Sequence, residues 1–381
     1  MSNRKLPIGT RDEFGSVAQQ KEQIIEKIQR YFRQRGFQKI NTPLLEYREV
    51  FKPLAPQAYQ PYQLLDERGD TLVLRPDLTL PVARVMSTTG IEIPMKWYYS
   101  GDIFRVKKRL SGSYNQITQA GIEIIGYASL KAEWECLTAA SQLVQAMGID
   151  DMTVELSHAQ FVPRVLAALP LNDLAKRNLE AALYDKDLER YSQQIAPLKA
   201  DPFYPFLQNW PWLFGDFKTV LAELDKLPSV PQLQSIVADL KATQQFMQAQ
   251  FPTQAVTLDL SIQPPQEYYT GMVFHGFSQA NASFLFSGGR YDQLLASFQQ
   301  TMQPAVGLAF DVDALVERLP ELTTAPATLI YFEPSQWAEA AAKQKELPNS
   351  SLCLADSAAA AQRIATQKGA QLIDLSQEAS K

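Results

Sequence analysis

Strand-like runs stand on both sides of a long helical stretch, and no other feature limits more strongly what this chain can fold into. Ahead of the stretch come Lys39–Pro43, Asp70–Arg75, Lys96–Tyr99 and Ile122–Ile125; after it come Val256–Leu260, Met272–Phe277, Ser283–Phe286 and Val306–Phe310. All are short, rich in β-branched and aromatic residues, and separated by turn residues. From about Phe161 to Phe251 the pattern is helical and punctuated. The reading is one sheet of mostly antiparallel strands, begun before a helical insertion and completed after it, so that its strands are discontinuous in sequence.

Helices flank that sheet. Ser16 and Gln19 fit a capping box, and Ile24, Ile25, Ile28, Tyr31 and Phe32 recur at helical spacing until Gly36, which predicts a helix over about Val17–Arg35. Ser129 can cap a second helix whose Leu130, Trp134, Leu137 and Val144 share a face, with Gly148 at the C′ position. Beyond Pro320 strands and helices alternate: Ala327–Phe332, a helix near Gln336–Glu346, Ser351–Leu354, a helix capped by Ser357, and Gln371–Leu375. Alternation of this kind implies parallel pairing in a small α/β unit. The expected fold class is therefore α+β. Its domains are 1–320, with the helical insertion at about 160–252, and a short α/β domain at 321–381.

Composition excludes several functions. With 36 Lys plus Arg against 41 Asp plus Glu, the 381-residue chain has a formal net charge of −5. No global basic field is available to hold nucleic acid. Cys136, Cys353, His158 and His275 are the only cysteines and histidines and make no cluster of zinc-ligand spacing, so no metal is expected. No window offers eighteen apolar residues in a row, and Met1–Pro7 lacks the apolar stretch of a signal peptide. The expectation is a cytoplasmic protein with reduced thiols, no membrane contact and no cofactor.

Five segments, in order, resemble the catalytic domain of histidyl-tRNA synthetase, a class II aminoacyl-tRNA synthetase, over roughly residues 5–318. Leu6-Pro-Ile-Gly-Thr-Arg-Asp12 matches that family's start, and Gly36–Pro43 resembles motif 1, whose proline lies at the family's dimer interface. Arg75-Pro-Asp-Leu-Thr79 resembles the family's Arg-Pro-Glu-Gly-Thr. Tyr98–Arg105 enters motif 2, which returns over Tyr114–Glu123. Glu267-Tyr-Tyr269 ends the histidine-specific segment; Ser287-Gly-Gly-Arg-Tyr-Asp292 and Pro304–Gly307 lead into motif 3. The resemblance implies a class II synthetase-like antiparallel sheet flanked by helices, with a reduced anticodon-binding-like tail. It also implies a histidine pocket. Asp77, Thr79 and Gln119 would hold the α-amino group, Glu123 and Tyr268 the two imidazole nitrogens, and Tyr269 and Tyr291 would form walls. A carboxylate and a phenol suit a ring with two N–H sites.

The departures bear on activity. Adenylate formation builds negative charge on phosphate, and preorganised cations aimed at that charge supply much of the rate. The motif 2 arginine is present as Arg105, but by the resemblance three further arginine positions are Asn115, Pro264 and Ala314. Each lost donor costs roughly two to three orders of magnitude in rate. With Pro264 where the family binds the amino acid's carboxylate, Arg105 becomes the candidate for that role. A chain that keeps the pocket and loses the cations resembles the regulatory-subunit family of ATP phosphoribosyltransferase. This implies a non-catalytic homodimer within a hetero-oligomer, paired with a short-form catalytic subunit that it activates and through which L-histidine exerts feedback inhibition. Two alternatives stay open here: an active synthetase that takes its cations from other positions, and a tRNA-binding paralogue.

Other features have plainer readings. The aromatics of Asp201–Phe206 and Trp210–Trp212 read as packing between helices, Lys107–Arg109 as a solvated hairpin loop, and Gly288-Gly289 as a turn or bulge. Glu123 sits among Ile122, Ile124 and Ile125, so if it points inward it needs a partner. His158 and His275 read as structural, and Cys136 as packing.

Overall fold

The structure is a computed structural model that describes residues 5–54, 60–106, 114–279, 283–298, 301–320, 322 and 328–378. The loop Lys107–Arg109 lies outside the described residues. Two compact units are formed, one over Met1–Glu13 and Ala18–Pro320, the other over Phe14–Val17 and Glu321–Lys381.

In chain order the first element is α1 (Gly15–Gln34), which buries Gln20, Ile24, Ile28 and Phe32 along one stripe, as four-residue spacing requires. It starts slightly ahead of the expected helix, so Ser16 lies inside the first turn rather than at the cap. Next come β1 (Gln38–Lys39), β2 (Leu45–Tyr47), β3 (Gln63–Leu65), β4 (Thr71–Leu74), α2 (Thr79–Thr89), β5 (Met95–Phe104), β6 (Gln116–Ile125) and α3 (Lys131–Ala146). A strand that the sequence reading passes over, β7 (Met152–His158), precedes the helical insertion. The insertion holds α4 (Phe161–Ala168), α5 (Asp173–Tyr184), α6 (Leu188–Ile195), α7 (Tyr204–Leu207), β8 (Phe214–Asp216), α8 (Phe217–Leu224) and α9 (Pro231–Gln250). Of its aromatics, Phe161, Phe206 and Trp210 do pack between helices, buried with ring centroids 5.5–6.2 Å apart, whereas Trp212 corrects the packing reading and is 61% exposed.

The sheet is then completed by β9 (Ala255–Asp259), β10 (Met272–Ser278), β11 (Phe286–Arg290) and β12 (Ala305–Asp311), and α10 (Val312–Arg318) follows. Its nine strands run in the order β1-β5-β6-β12-β11-β10-β7-β9-β8, antiparallel except at β1–β5 and β7–β9. β12 sits between β6 and β11, so the strands written after the insertion close directly onto those written before it. β2, β4 and β3 form a separate small antiparallel sheet.

Gly288 and Gly289 correct the sequence reading: they lie in the middle of β11, not at a turn. A β-carbon on Gly289 would stand 2.7 Å from the Met272 carbonyl and 2.8 Å from the Tyr269 ring, so the glycines are there for close approach rather than for chain reversal. The two faces of the sheet feed different cores. Ala120, Ile122 and Ile124 join α1, α3 and the insertion in one, while Trp97, Tyr99, Ile103 and Ile125 join α2 in the other.

The small unit has β13 (Thr328–Tyr331), α11 (Trp337–Glu346), β14 (Ser350–Cys353), α12 (Ala358–Lys368), β15 (Gln371–Asp374) and the short α13 (Leu375–Glu378). Its strands pair in parallel in the order β14-β13-β15. The Ser357 hydroxyl accepts from the Ala360 N–H as the expected cap, at 3.3 Å. No described helix is long and apolar enough to cross a membrane.

Candidate functional site

Asp77 and Thr79 sit where β4 turns into α2. The Asp77 carboxylate accepts from the Leu80 N–H at 2.8 Å, which closes the turn into the helix. On β6, Gln119 and Glu123 are four residues apart and so point to one face. Across from Glu123 in the ladder stand Trp97 on β5 and Gly307 on β12. Glu123 Oε2 lies where a β-carbon on Gly307 would be, so only glycine leaves room for the carboxyl group.

Glu123 is wholly buried. Its Oε1 accepts from Thr79 Oγ1 at 2.7 Å and from Tyr99 OH at 3.1 Å, and its Oε2 accepts from Tyr291 OH. These three hydroxyls are the partners that an inward-facing glutamate requires. None carries positive charge. Burial therefore dominates and pushes the carboxyl up to about 8, with Asp77 adding repulsion and the hydroxyl donors opposing it. Burial likewise raises Asp77, against the pull of Arg105, and raises the phenols of Tyr99, Tyr268, Tyr269 and Tyr291.

Above this floor lies a cavity of about 60 Å³, room for a few waters. Asp77, Thr79, Arg105, Gln119, Tyr268, Tyr269 and Tyr291 all line it, and Glu123 lies directly beneath its hydroxyl wall. All eight residues proposed for the pocket from the sequence are thus brought together. Tyr268 packs on Tyr269 at 5.1 Å and edge-on against Tyr291 at 5.9 Å. Arg105 donates to the Pro76 carbonyl at 2.7 Å and reaches Asp77 Oδ2 at 4.0 Å, so this cation of the lining sits beside the Asp77 carboxylate.

Tyr291 is held from behind. Arg290 makes two bonds of 2.6 Å to the buried carboxylate of Glu133 and a third of 3.2 Å to Asp292, whose other bonds tie it to Ala305 N–H and Thr270. Sequence reasoning missed Tyr99. Its signal was the alternation in Lys96–Tyr99, which puts Trp97 and Tyr99 on the face opposite Tyr98.

The three positions singled out as lost arginines fall elsewhere. Asn115 donates to the Ile8 carbonyl at 3.1 Å and to Tyr62 OH at 2.9 Å, binding the N-terminal segment. Ala314 is buried in α10, with its N–H capped by Asp311 at 3.0 Å. Pro264 lines a second cavity of about 560 Å³ that shares Gln266 and Tyr269 with the first. Neither histidine reaches the pocket lining: His158 Nδ1 accepts from the Gln160 N–H at 3.2 Å, and His275 stacks on Phe284 at 4.4 Å. Cys136 is fully buried on α3. No group of three His, Cys, Asp or Glu among the described residues is placed to hold a metal.

Comparison with known proteins shows the family and the fold. A model of the histidyl-tRNA synthetase family matches residues 9–315. A protein of Lacticaseibacillus paracasei called ATP phosphoribosyltransferase regulatory subunit is 56% identical over 376 residues, 99% of this chain and 98% of its own. One of the same name from Listeria monocytogenes is 35% identical, covering 93% of this chain and 91% of its own. Among solved structures, an ATP phosphoribosyltransferase regulatory subunit/histidyl-tRNA synthetase from Bacillus halodurans superposes with a TM-score of 0.83 at 24% identity, over 97% of both chains. A histidyl-tRNA synthetase from a Nostoc species gives 0.77 at 19% identity, over 97% of this chain and 90% of its own. These two likenesses establish the shared class II synthetase fold.

Proposed function

The chain belongs to the histidyl-tRNA synthetase family, within its branch of ATP phosphoribosyltransferase regulatory subunits, and from that membership we propose that it is the non-catalytic partner of a short-form catalytic subunit. It activates phosphoribosyl transfer from PRPP to ATP on that subunit and carries feedback inhibition by L-histidine.

The observation that supports this most is the Glu123 floor. A buried carboxyl group beneath three hydroxyls, with tyrosine rings around it, has the chemistry to take an imidazole. Asp77, Thr79 and Gln119 would receive an α-ammonium group and Arg105 a carboxylate, a reading supported by their common place in the lining. The cavity as it stands admits only a few waters, so histidine enters by displacing Tyr268 or the loop that carries it. Synthetase chemistry is disfavoured by Asn115, Pro264 and Ala314 at the positions where the resemblance expects arginine. The protein is read as a homodimer within the hetero-oligomer, working in the cytoplasm.

The test is reconstitution. ATP phosphoribosyltransferase activity of a purified short-form catalytic subunit is titrated with this protein, with and without L-histidine. Saturable activation that histidine reverses is expected. Absence of activation with a competent cognate subunit, together with histidine-dependent ATP/pyrophosphate exchange, would replace the proposal with the synthetase reading.

A further inference from the structure

The segment that joins β9 to β10 is the wall between two cavities. Pro265 and Tyr268 line the inner one of about 60 Å³, Gln263, Pro264 and Glu267 line the outer one of about 560 Å³, and Gln266 and Tyr269 line both. The wall is therefore one chain thick. Its ends are fixed. Ser261 donates through its N–H and Oγ to Asp259 at 2.8 and 2.9 Å, and its carbonyl and Oγ accept from Lys186 Nζ at 3.1 and 2.6 Å. At the other end the Thr270 N–H donates to the Arg290 carbonyl at 2.8 Å, and the Thr270 hydroxyl accepts from the Asp292 N–H at 2.9 Å. Between these anchors, residues 262–268 hydrogen-bond to no described residue outside the segment. Pro264 and Pro265 have no N–H to offer and stiffen its middle.

A strap held only at its ends yields toward whichever side has room. The inner cavity admits a few waters. The outer one falls within the roughly 300–1,000 Å³ of small-molecule pockets. No hydrogen bond to the rest of the described chain has to break for residues 262–268 to shift, so what resists them is packing such as that of Tyr268 against Tyr291. We infer that residues 262–269 are a movable strap that swings into the outer cavity as histidine enters beside Glu123, and that α5 receives it there. Arg177, Glu180, Ala181 and Tyr184 also line the outer cavity, and their spacing puts them on one face of α5. Histidine binding and the filling of this cavity are then coupled in both directions, as linkage requires. The inference rests on the regulatory reading, because it takes histidine as the ligand.

The experiment is calorimetric titration of L-histidine into the reconstituted complex of full-length chains, with the outer cavity filled from α5. Ala181→Trp should weaken binding by about tenfold or more and Ala181→Leu by less, since couplings of this kind are commonly about 5- to 150-fold. Leu174→Trp adds bulk to the same helix at a residue 61% exposed and outside the cavity lining, and should bind as the wild type does. Unfolding midpoints establish that each variant folds; if Ala181→Trp does not, Ala181→Leu carries the test. Wild-type affinity in every Ala181 variant that folds, or an equal loss in Leu174→Trp, would overturn the strap and leave the regulatory reading standing. Absence of histidine binding by the wild-type complex would overturn both.

Discussion

At pH 7 the Glu123 carboxyl group, raised to about 8 by burial, is about nine-tenths protonated before any ligand arrives. Free imidazole near its ordinary value of about 6.5 carries about a quarter of a proton at the same pH. Once the two are paired they share one proton, whichever holds it. Histidine binding at pH 7 should therefore release only about 0.1 proton. A carboxyl group at its ordinary value would enter ionised, and binding would then take up about 0.8 proton. Calorimetric titration with L-histidine, in buffers of different ionisation enthalpy, reads this number as a slope. The reconstituted complex serves if the isolated chain does not bind. Affinity should stay level between about pH 6.5 and 8 and fall about tenfold per unit above, where the pair must recruit a proton. Glu123→Gln should abolish the fall above pH 8 and weaken binding by about 10- to 100-fold, the loss of one charge-assisted hydrogen bond. Uptake of nearly one proton per histidine at pH 7 would refute the reasoning.

Three further outcomes follow from the packing. His275 is buried and its imidazole lowered to about 4, so the folded protein binds fewer protons than the unfolded chain between about pH 6.5 and 4 and loses stability as pH falls through that window. His275→Phe keeps the stack on Phe284 and should remove up to about 2.4 kcal/mol of that acid loss, read by urea unfolding at pH 7 and pH 4.5; an unchanged loss would show the histidine charges freely. Arg290→Ala leaves Glu133 buried and unpaired and should cost about 3–5 kcal/mol in unfolding free energy. Gly307→Ala places a methyl group against Glu123 Oε2, and should weaken histidine inhibition while leaving activation of the catalytic subunit intact, as checked by the reconstituted assay.

Much of this molecule was legible in its sequence because its signals were local. Ile24, Ile28 and Phe32 mark a helix stripe, Ser357 a cap, and the strand runs on either side of the insertion mark a sheet that must close across it. What escaped depends on neighbours distant in sequence. β8 is three residues of otherwise helical sequence that become a strand only because β9 offers an edge. Gly288-Gly289 looks like a turn until Met272 and Tyr269 are seen packed against it. Lys39–Pro43 reads as a strand, yet the ladder with β5 holds only Gln38 and Lys39, closed by the Ile40 N–H on the Tyr98 carbonyl, and the chain then departs. Within the site, the eight pocket residues were reached through motif resemblance, since nothing in their spacing alone brings Asp77 to Tyr291. Tyr99 was missed because its role exists only through the hydroxyl it offers Glu123 across the strand pair.

The measurement that bears most directly on the regulatory account is histidine inhibition of two reconstituted complexes, one with the wild-type chain and one with Glu123→Ala. The account expects equal activation of the catalytic subunit by both, with at least about tenfold more histidine needed to inhibit the variant. Equal histidine sensitivity would contradict it and place the effector outside the Glu123 pocket.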